Sequence, residues 1–237
     1  MTALSFSNRA GFVLVPAMIE VIAENKEHLS EIDGRIGDGD HGANMDKGFQ
    51  ICKTQLDSDI MDLSSALLLL SGVLMEQIGG SMGPLYGLVF RAMGRACRGV
   101  EQIGDRTFLK MLADAEVKVR EIGECSEGDK TLLDVLAPAT RAFEASLASG
   151  ADFRESLRAM KCAAFLGRDA TVDMLARKGR SSRLGERSRG VPDAGASSCC
   201  LLLAAMADAA TPLLQTQPDD LIPPRPQITG GESLSLS

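Results

Sequence analysis

Apolar residues recur at helical spacing along most of this chain. Met45, Phe49, Cys52 and Leu56 follow one another at steps of four, three and four residues, and a second stripe with the same period starts at Leu63. Stripes of this kind predict helices that bury one face. Eight helices are predicted in this way, over residues 8–28, 45–56, 63–78, 84–97, 108–122, 132–143, 153–164 and 199–213. No segment has the clear alternating pattern of a strand, so the predicted fold class is all-α.

Segments rich in turn residues separate the predicted helices. They lie at Gly79-Gly80, 99–104, 123–128, Gly150 and 179–195. After Leu214 the composition changes, because residues 215–237 contain four prolines, a Gly230-Gly231 pair and several serines. This composition predicts a mobile tail and not part of a packed core. We therefore predict one helical domain over residues 1–214 and a tail over residues 215–237.

The chain is acidic, with 25 lysines and arginines against 32 aspartates and glutamates and a net charge of −7. This balance argues against nonspecific binding to nucleic acid or anionic membranes and favours small molecules or proteins as partners. No apolar run approaches the roughly 20 residues of a membrane span, and the N-terminus lacks the pattern of a signal peptide. Six cysteines without C-x-x-C spacing are typical of reduced thiols. We predict a cytoplasmic protein.

The most informative segment is an acidic, glycine-rich run before the second predicted helix. Asp33, Asp38 and Asp40 fall within eight residues of one another, beside His41 and Asn44. Carboxylates this close repel each other, so a chain that keeps all three ionised needs a divalent cation or a wide solvated loop. Magnesium takes few carboxylates and leaves positions for water and substrate phosphates. The run predicts a magnesium site, although each aspartate could singly be a turn or cap residue, and His41 could simply bond to the helix start.

Two other interpretations of this run fail on their context. Its glycines form the G-x-G-x-x-G pattern of dinucleotide-binding turns, at Gly37, Gly39 and Gly42. That pattern should follow a hydrophobic strand, whereas a polar stretch over residues 30–35 precedes it here. A calcium-binding EF-hand loop that starts at Asp38 would place Phe49 where the closing glutamate belongs.

Two further segments have the residue types of a phosphate site. Residues 79–84, Gly-Gly-Ser-Met-Gly-Pro, join two predicted helices, and Pro84 suits the first position of the second one. Free glycine amides before a helix form an anion cradle, although a plain turn has the same composition. Residues 177–190 contain five arginines and a lysine against one glutamate, which suits either phosphate oxygens or a solvated basic loop. Residues 123–129 read as a helix end followed by a cap, and Asp193 as the cap of the last helix.

Four motifs, in this order, resemble the ADP-binding L subunit of dihydroxyacetone kinases. They are Gly37-Asp-Gly-Asp-His-Gly-Ala-Asn-Met45, Gly79-Gly-Ser-Met-Gly-Pro-Leu-Tyr-Gly87, Glu127-Gly-Asp-Lys-Thr131 and the arginine run from Gly179 to Ser188. Their order and spacing match over residues 8–214. The resemblance implies an antiparallel barrel of eight helices with the nucleotide at one end, which agrees with the eight predicted helices.

The resemblance also implies a set of site residues. Two Mg²⁺ ions that bridge to the phosphates of ADP or ATP are expected on Asp33, Asp38 and Asp40. Expected at the phosphates are His41, Gly42, Ala43, Asn44, Ser81 and Met82. Expected beside the adenosine are Gly123 and Leu132, and expected to close the site are Arg180, Asp193, Ala194 and Gly195.

The chain departs from the family pattern at three places. Met82 stands where a small or hydroxyl residue is common, Leu88 stands where threonine is common, and Asp193-Ala194-Gly195 replaces Asp-Pro-Gly. A missing hydroxyl at position 82 removes one candidate phosphate contact. We therefore expect the shape of the site, or its substrate, to differ from that of the type enzymes.

By resemblance, the chain would be the phosphoryl-transfer subunit of a kinase for a small ketose, dihydroxyacetone or a tetrulose. A histidine on a separate K subunit would hold the ketose. The donor would be exchangeable ATP, or a resident ADP rephosphorylated by a phosphotransferase-system protein, and the subunit could form a homodimer. Two alternatives stay open, the L-type domain of a fatty-acid kinase and a non-catalytic regulator that binds Mg²⁺ and nucleotide.

Overall fold

The computed structural model describes residues 4–216, and eight α-helices account for most of them. They are α1 (Leu14–Ile36), α2 (His41–Lys53), α3 (Leu63–Gln77), α4 (Met82–Ala96), α5 (Asp105–Gly123), α6 (Leu133–Ala148), α7 (Phe153–Ala170) and α8 (Ala194–Ala210). Short 3-10 helices lie at Ala10–Val13, Thr171–Asp173, Arg180–Ser188 and Thr211–Leu213. Each predicted helix corresponds to one of the eight, and the predicted all-α fold class is confirmed.

Successive helices pack against one another, and α8 returns against α1, so that the helix contacts close into a ring. The buried faces of all eight helices form one large apolar core. Phe108, Phe143 and Phe153 lie within it with ring centroids 5.5 to 5.8 Å apart, the spacing of favourable aromatic pairs. The antiparallel barrel that the resemblance implies stays a prediction.

Helix α8 is the most enclosed of these helices, with 12 of its 17 residues buried. It packs against α1, α6 and α7. Within residues 4–216, Ala194–Leu213 is the one helical segment long and apolar enough to cross a membrane, but 67% of it is buried in the protein. The sequence had predicted no apolar run of that length. A helix surrounded by other helices needs apolar residues on all sides, which accounts for this composition.

A small antiparallel sheet differs from the prediction that the chain has no strands. Its order is β2-β1-β3, with β1 at Leu4–Ser7, β2 at Gln102–Gly104 and β3 at Gln215–Thr216. Strands of four, three and two residues are too short for an alternating pattern to be visible in the sequence. Residues 215 and 216, predicted as the start of the tail, pair with β1 instead. The rest of the predicted tail, residues 217–237, lies outside the described residues.

Two predicted helix boundaries were wrong in ways that concern the site. The opening helix was predicted to end near residue 28, but α1 continues to Ile36 and carries Asp33 in its last turn. Leu29, Ile32 and Ile36 continue the apolar spacing through these turns and are buried, so the extension is consistent with the helical pattern. Helix α4 starts at Met82, so Pro84 is its third residue instead of its first. Proline fits there too, since the first helical turn makes no use of its N–H groups.

Candidate functional site

A cleft of about 620 Å³ opens where the end of α1 meets the starts of α2, α4 and α8. Of the predicted site residues, all but two line it. Those that do are Asp33, Asp38, Asp40, His41, Asn44, Ser81, Met82, Gly123, Leu132, Arg180, Asp193, Ala194 and Gly195. The structure therefore brings together four segments that are far apart in the sequence.

The two exceptions, Gly42 and Ala43, contact α1 through their backbones. A Cβ atom on Gly42 would overlap the backbone carbonyl of Lys26, and the N–H of Ala43 donates to Ser30 Oγ at 3.2 Å. Both contacts seat the start of α2 against α1. Glycine is needed at position 42 because the two backbones approach too closely for any side chain.

The three aspartates converge at the mouth of the cleft. Asp33 comes from the last turn of α1, Asp38 from the following loop, and Asp40 from the position before α2. One carboxylate oxygen of each lies within 4.8 Å of the others. A side chain on Gly37 would overlap the Asp33 carboxylate, so this glycine allows the loop to fold back over Asp33. The cluster consists of half-buried and exposed carboxylates, the hard oxygen donors that Mg²⁺ prefers.

An arginine from the basic run compensates part of this negative charge. Arg180 forms an ion pair with Asp38, and its guanidinium lies 3.8 Å from a carboxylate oxygen of Asp40. Arg180 starts the 3-10 segment Arg180–Ser188, which together with its flanks we call the arginine loop (residues 177–190). Both positive and negative side chains thus meet at the cleft mouth, where a metal and an anionic ligand would together satisfy them.

The floor of the cleft is a hydrogen-bonded network that joins three helix starts. His41 Nε2 lies 2.9 Å from Ser198 Oγ, and the Tyr86 hydroxyl lies 2.7 Å from the same oxygen. Tyr86 also donates to the carbonyl of Gly195 at 3.1 Å, and the His41 N–H donates to Asp33 Oδ2 at 3.3 Å. Burial lowers the pKa of His41 to about 4 against a smaller opposing effect of Asp33, and burial raises the pKa of Tyr86 well above its usual value. Both side chains are therefore neutral at pH 7.

The start of α4 has the form of an anion cradle. The structure gives Ser81, the residue before the helix, no side-chain hydrogen bond to the first turn. Gly79 and Gly80 precede it with open space around them, and Gly80 has a φ of 74° that favours glycine. Unpaired N–H groups and the positive end of the helix dipole attract anions. Met82 is half-buried, lines the cleft and packs against the apolar core.

The opposite wall of the cleft is largely apolar. Gly123, the last residue of α5, and Leu132, just before α6, line it as expected. Three residues that were not predicted from the sequence complete this wall, Val119, Ile122 and Cys125. An apolar wall beside polar groups suits a ligand with both an aromatic and a charged part.

Two buried charged groups, Lys130 and Asp193, lie at the base of the arginine loop, and Lys130 was not predicted as a site residue from the sequence. Lys130 is 1% exposed, and burial lowers its pKa while Asp193 acts in the opposite sense. Asp193 accepts a hydrogen bond from the N–H of Ala196 at 2.8 Å, so its predicted role as the α8 cap is confirmed. Burial raises the pKa of Asp193 to about 6, against the opposing effects of that bond and of Lys130. In the sequence, the feature that singles out Lys130 is its position inside one of the four motifs.

The fold and the cleft define an all-α domain with carboxylates, a helix start and arginines around one cavity. Residues 35–208 match the DAK2 domain. PEP-dependent dihydroxyacetone kinase 2, ADP-binding subunit DhaL, of Listeria innocua serovar 6a is 33% identical over 187 residues, which cover 77% of this chain and 86% of that protein. The chain belongs to the DAK2-domain family.

Two larger proteins contain a similar domain. D-erythrulose kinase of Mycolicibacterium smegmatis is 33% identical over 216 residues, which cover 88% of this chain and 37% of that protein. The crystal structure of the dihydroxyacetone kinase from C. freundii in complex with AMP-PNP and Mg²⁺ superposes with a TM-score of 0.60 at 23% identity. That match covers 84% of this chain and 33% of the solved one, so the chain spans about a third of that structure and shares its fold.

Proposed function

We propose that this chain is the nucleotide-binding subunit of a dihydroxyacetone-type kinase. It binds ADP or ATP together with magnesium and passes a phosphoryl group to a small ketose held by another protein. The observation that carries the proposal is the meeting of the three aspartates, the start of α4 and the arginine loop around one cleft. The names of the relatives, an ADP-binding subunit and an erythrulose kinase, support the same reaction class.

The residues present fit a magnesium–nucleotide complex. Asp33, Asp38 and Asp40 supply three carboxylates that already converge, and we propose that they hold two Mg²⁺ ions. Magnesium bound there would neutralise phosphate oxygens and align the group for in-line transfer. The apolar wall near Gly123 and Leu132 would receive the adenine, and the start of α4 the phosphates.

The chain itself contributes position and charge to the reaction. Arg180 pairs with Asp38, lies 3.8 Å from an oxygen of Asp40, and is placed to turn toward phosphate oxygens once a metal takes over those carboxylates. Neutral His41 and Tyr86 hold Ser198 and the start of α8 in place without adding charge beside the ligand. In phosphoryl transfer, positioning and electrostatic stabilisation account for most of the catalysis.

In this proposal, the ketose acceptor and the source of the phosphoryl group lie outside the chain. A sugar-binding K subunit would present the ketose at the cleft mouth, where Asp38 and Asp40 are exposed. The donor would be ATP that exchanges, or a bound ADP that a phosphotransferase-system protein rephosphorylates. The description of the Listeria relative as PEP-dependent supports the second route.

The test combines the purified chain with a candidate K protein, a phosphoryl donor and either dihydroxyacetone or erythrulose. Mg-ATP and a PEP-driven phosphotransferase mixture are compared as donors, and the sugar phosphate is detected by mass spectrometry. We expect product only when both proteins are present. Absence of product with either ketose and either donor, despite a confirmed complex, would reject the kinase function. Mg-ADP binding that persisted in that case would identify a nucleotide-binding regulator.

A further inference from the structure

Lys130 is a buried cation that the proposed chemistry leaves without a role. Its side chain is 1% exposed, and its backbone has a φ of 62°, a left-handed conformation that costs energy for any residue with a Cβ. A buried ammonium group is also costly unless its donors are all satisfied. Lys130 therefore combines two unfavourable features, and it lines the cleft.

The ammonium group of Lys130 bonds to backbone carbonyls on both sides of the arginine loop. Nζ donates to the carbonyl of Ser188 at 2.6 Å, to that of Val191 at 2.6 Å, and to that of Met174 at 3.4 Å. An ammonium group has three donors, so these contacts use all of them. Met174 lies before the loop, whereas Ser188 and Val191 lie at its end. One side chain therefore fastens the two ends together.

Neighbouring bonds reinforce the same closure. The N–H of Arg177 donates to the carbonyl of Asp129 at 3.0 Å, so the residue before Lys130 holds the loop as well. The N–H of Ala176 donates to Ser188 Oγ at 3.0 Å, across the base of the loop. The loop itself carries Arg180, which reaches Asp38 and Asp40 at the cleft mouth. The position of the Arg180 guanidinium thus depends on how the loop base is fastened.

We propose that Lys130 is a positioning residue that clamps the base of the arginine loop and so holds Arg180 over the cleft. It acts through the loop, and it has no need to touch the ligand. The inference rests on the proposed nucleotide function for its effect on affinity. The clamp itself can be measured without any nucleotide.

The matched control is Asn8, a second buried side chain that ties down backbone groups. It is 4% exposed, donates to the carbonyls of Cys97 and Val100 at 2.9 and 2.8 Å, and accepts from the N–H of Ser64 at 3.2 Å. These partners adjoin the start of α3 and the end of α4, so Asn8 lies at the other end of those helices from the cleft. Lys130→Met and Asn8→Leu each remove three bonds to backbone groups, and we expect similar losses of thermal stability.

The first measurement is limited digestion of the full chain by trypsin, which cleaves after lysine and arginine. The arginine loop holds five arginines and a lysine, so its opening is directly visible as new cleavage sites. We expect Lys130→Met to accelerate cleavage within residues 177–189, and Asn8→Leu to leave that rate unchanged. Equal loop cleavage in the two variants would overturn the clamp, whether or not the protein binds nucleotide.

The second measurement is Mg-ADP affinity by calorimetry, in a double-mutant cycle with Arg180→Ala. We expect Lys130→Met to weaken binding roughly tenfold in the wild-type background, the scale of losing an orienting partner, and to have little effect when Arg180 is already absent. Equal weakening in both backgrounds would show that Lys130 acts on the fold as a whole and would overturn the inference. If Lys130→Met does not fold, Lys130→Gln keeps part of the donor set and undergoes both measurements with the same criteria.

Discussion

Replacement of Asp38 by asparagine tests the metal assignment, because it keeps the side-chain volume and removes one charge. The carboxylate oxygens lie within 4.8 Å of one another. At that distance two charges repel by about 0.9 kcal/mol in a water-like dielectric. The water value is a lower bound on this repulsion, because the Asp38 side chain is 42% exposed and Asp33 is half-buried. Asp38 takes part in two such pairs, and its exposed ion pair with Arg180 offsets about 0–1 kcal/mol of that repulsion.

Without magnesium, the free energy of unfolding of Asp38→Asn should therefore exceed that of the wild type by about 1 kcal/mol or more. Binding of Mg-ADP should behave in the opposite way. The loss of one charged contact costs about 1.5–3 kcal/mol, which corresponds to a weakening of roughly ten- to a hundredfold. Opposite signs for stability and affinity distinguish a metal site from a structural cap.

Calorimetric titration with ADP, with and without magnesium, measures the affinity, and urea denaturation measures the stability. Asp114→Asn is the control, since Asp114 forms an exposed ion pair with Lys110 on α5 and does not line the cleft. We expect the control to bind Mg-ADP like the wild type. An Asp38→Asn variant with unchanged Mg-ADP affinity would refute the assignment, and so would one that unfolds more easily without magnesium.

Two further predictions concern packing and pH. A Cβ on Gly83 would overlap backbone carbonyls of α3 and of the residue after it, so Gly83→Ala should lower the free energy of unfolding by about 1–3 kcal/mol. Gly72 faces open space on α3, so the control Gly72→Ala should raise the free energy of unfolding by about 0.5–1 kcal/mol. Equal stability of the two variants in urea denaturation would contradict this packing. Between its usual pKa and about 6, native Asp193 binds more protons than the unfolded chain, so its contribution to stability falls as pH rises. Between about 4 and 6.5, native His41 binds fewer protons, so its contribution rises with pH. The free energy of unfolding of Asp193→Asn should therefore rise more steeply between pH 4 and 6 than that of the wild type, by at most roughly 1.4 kcal/mol per pH unit. An unchanged pH dependence would contradict the raised pKa of Asp193.

The features that depend on local spacing were predictable from the chain alone. The eight helices follow from apolar periodicity, and the loop of Asp38 and Asp40 follows from three carboxylates packed among glycines. The cap role of Asp193 also follows from its position before an apolar run. The two- to four-residue strands did not follow, because a very short strand leaves no periodic pattern.

Functional contacts across the fold were decided by tertiary structure. His41 and Ser198 are 157 residues apart in sequence yet share a hydrogen bond, and Tyr86 joins them from a third helix. No local sequence pattern predicts these contacts, since they depend on how the ring of helices closes. The same holds for Lys130, whose three acceptors lie 44 to 61 residues away.

By itself, then, the sequence determined the helical class and the chemical character of each loop, since both depend on residue types a few positions apart. Only the tertiary structure decided that the acidic loop, the start of α4 and the arginine loop share one cleft. It also decided that Gly42 packs against α1 and that the N–H of Ala43 donates to Ser30 Oγ, contacts that the sequence did not predict. The physical reason is that burial and close approach are properties of the packed helices, which no short stretch of chain contains.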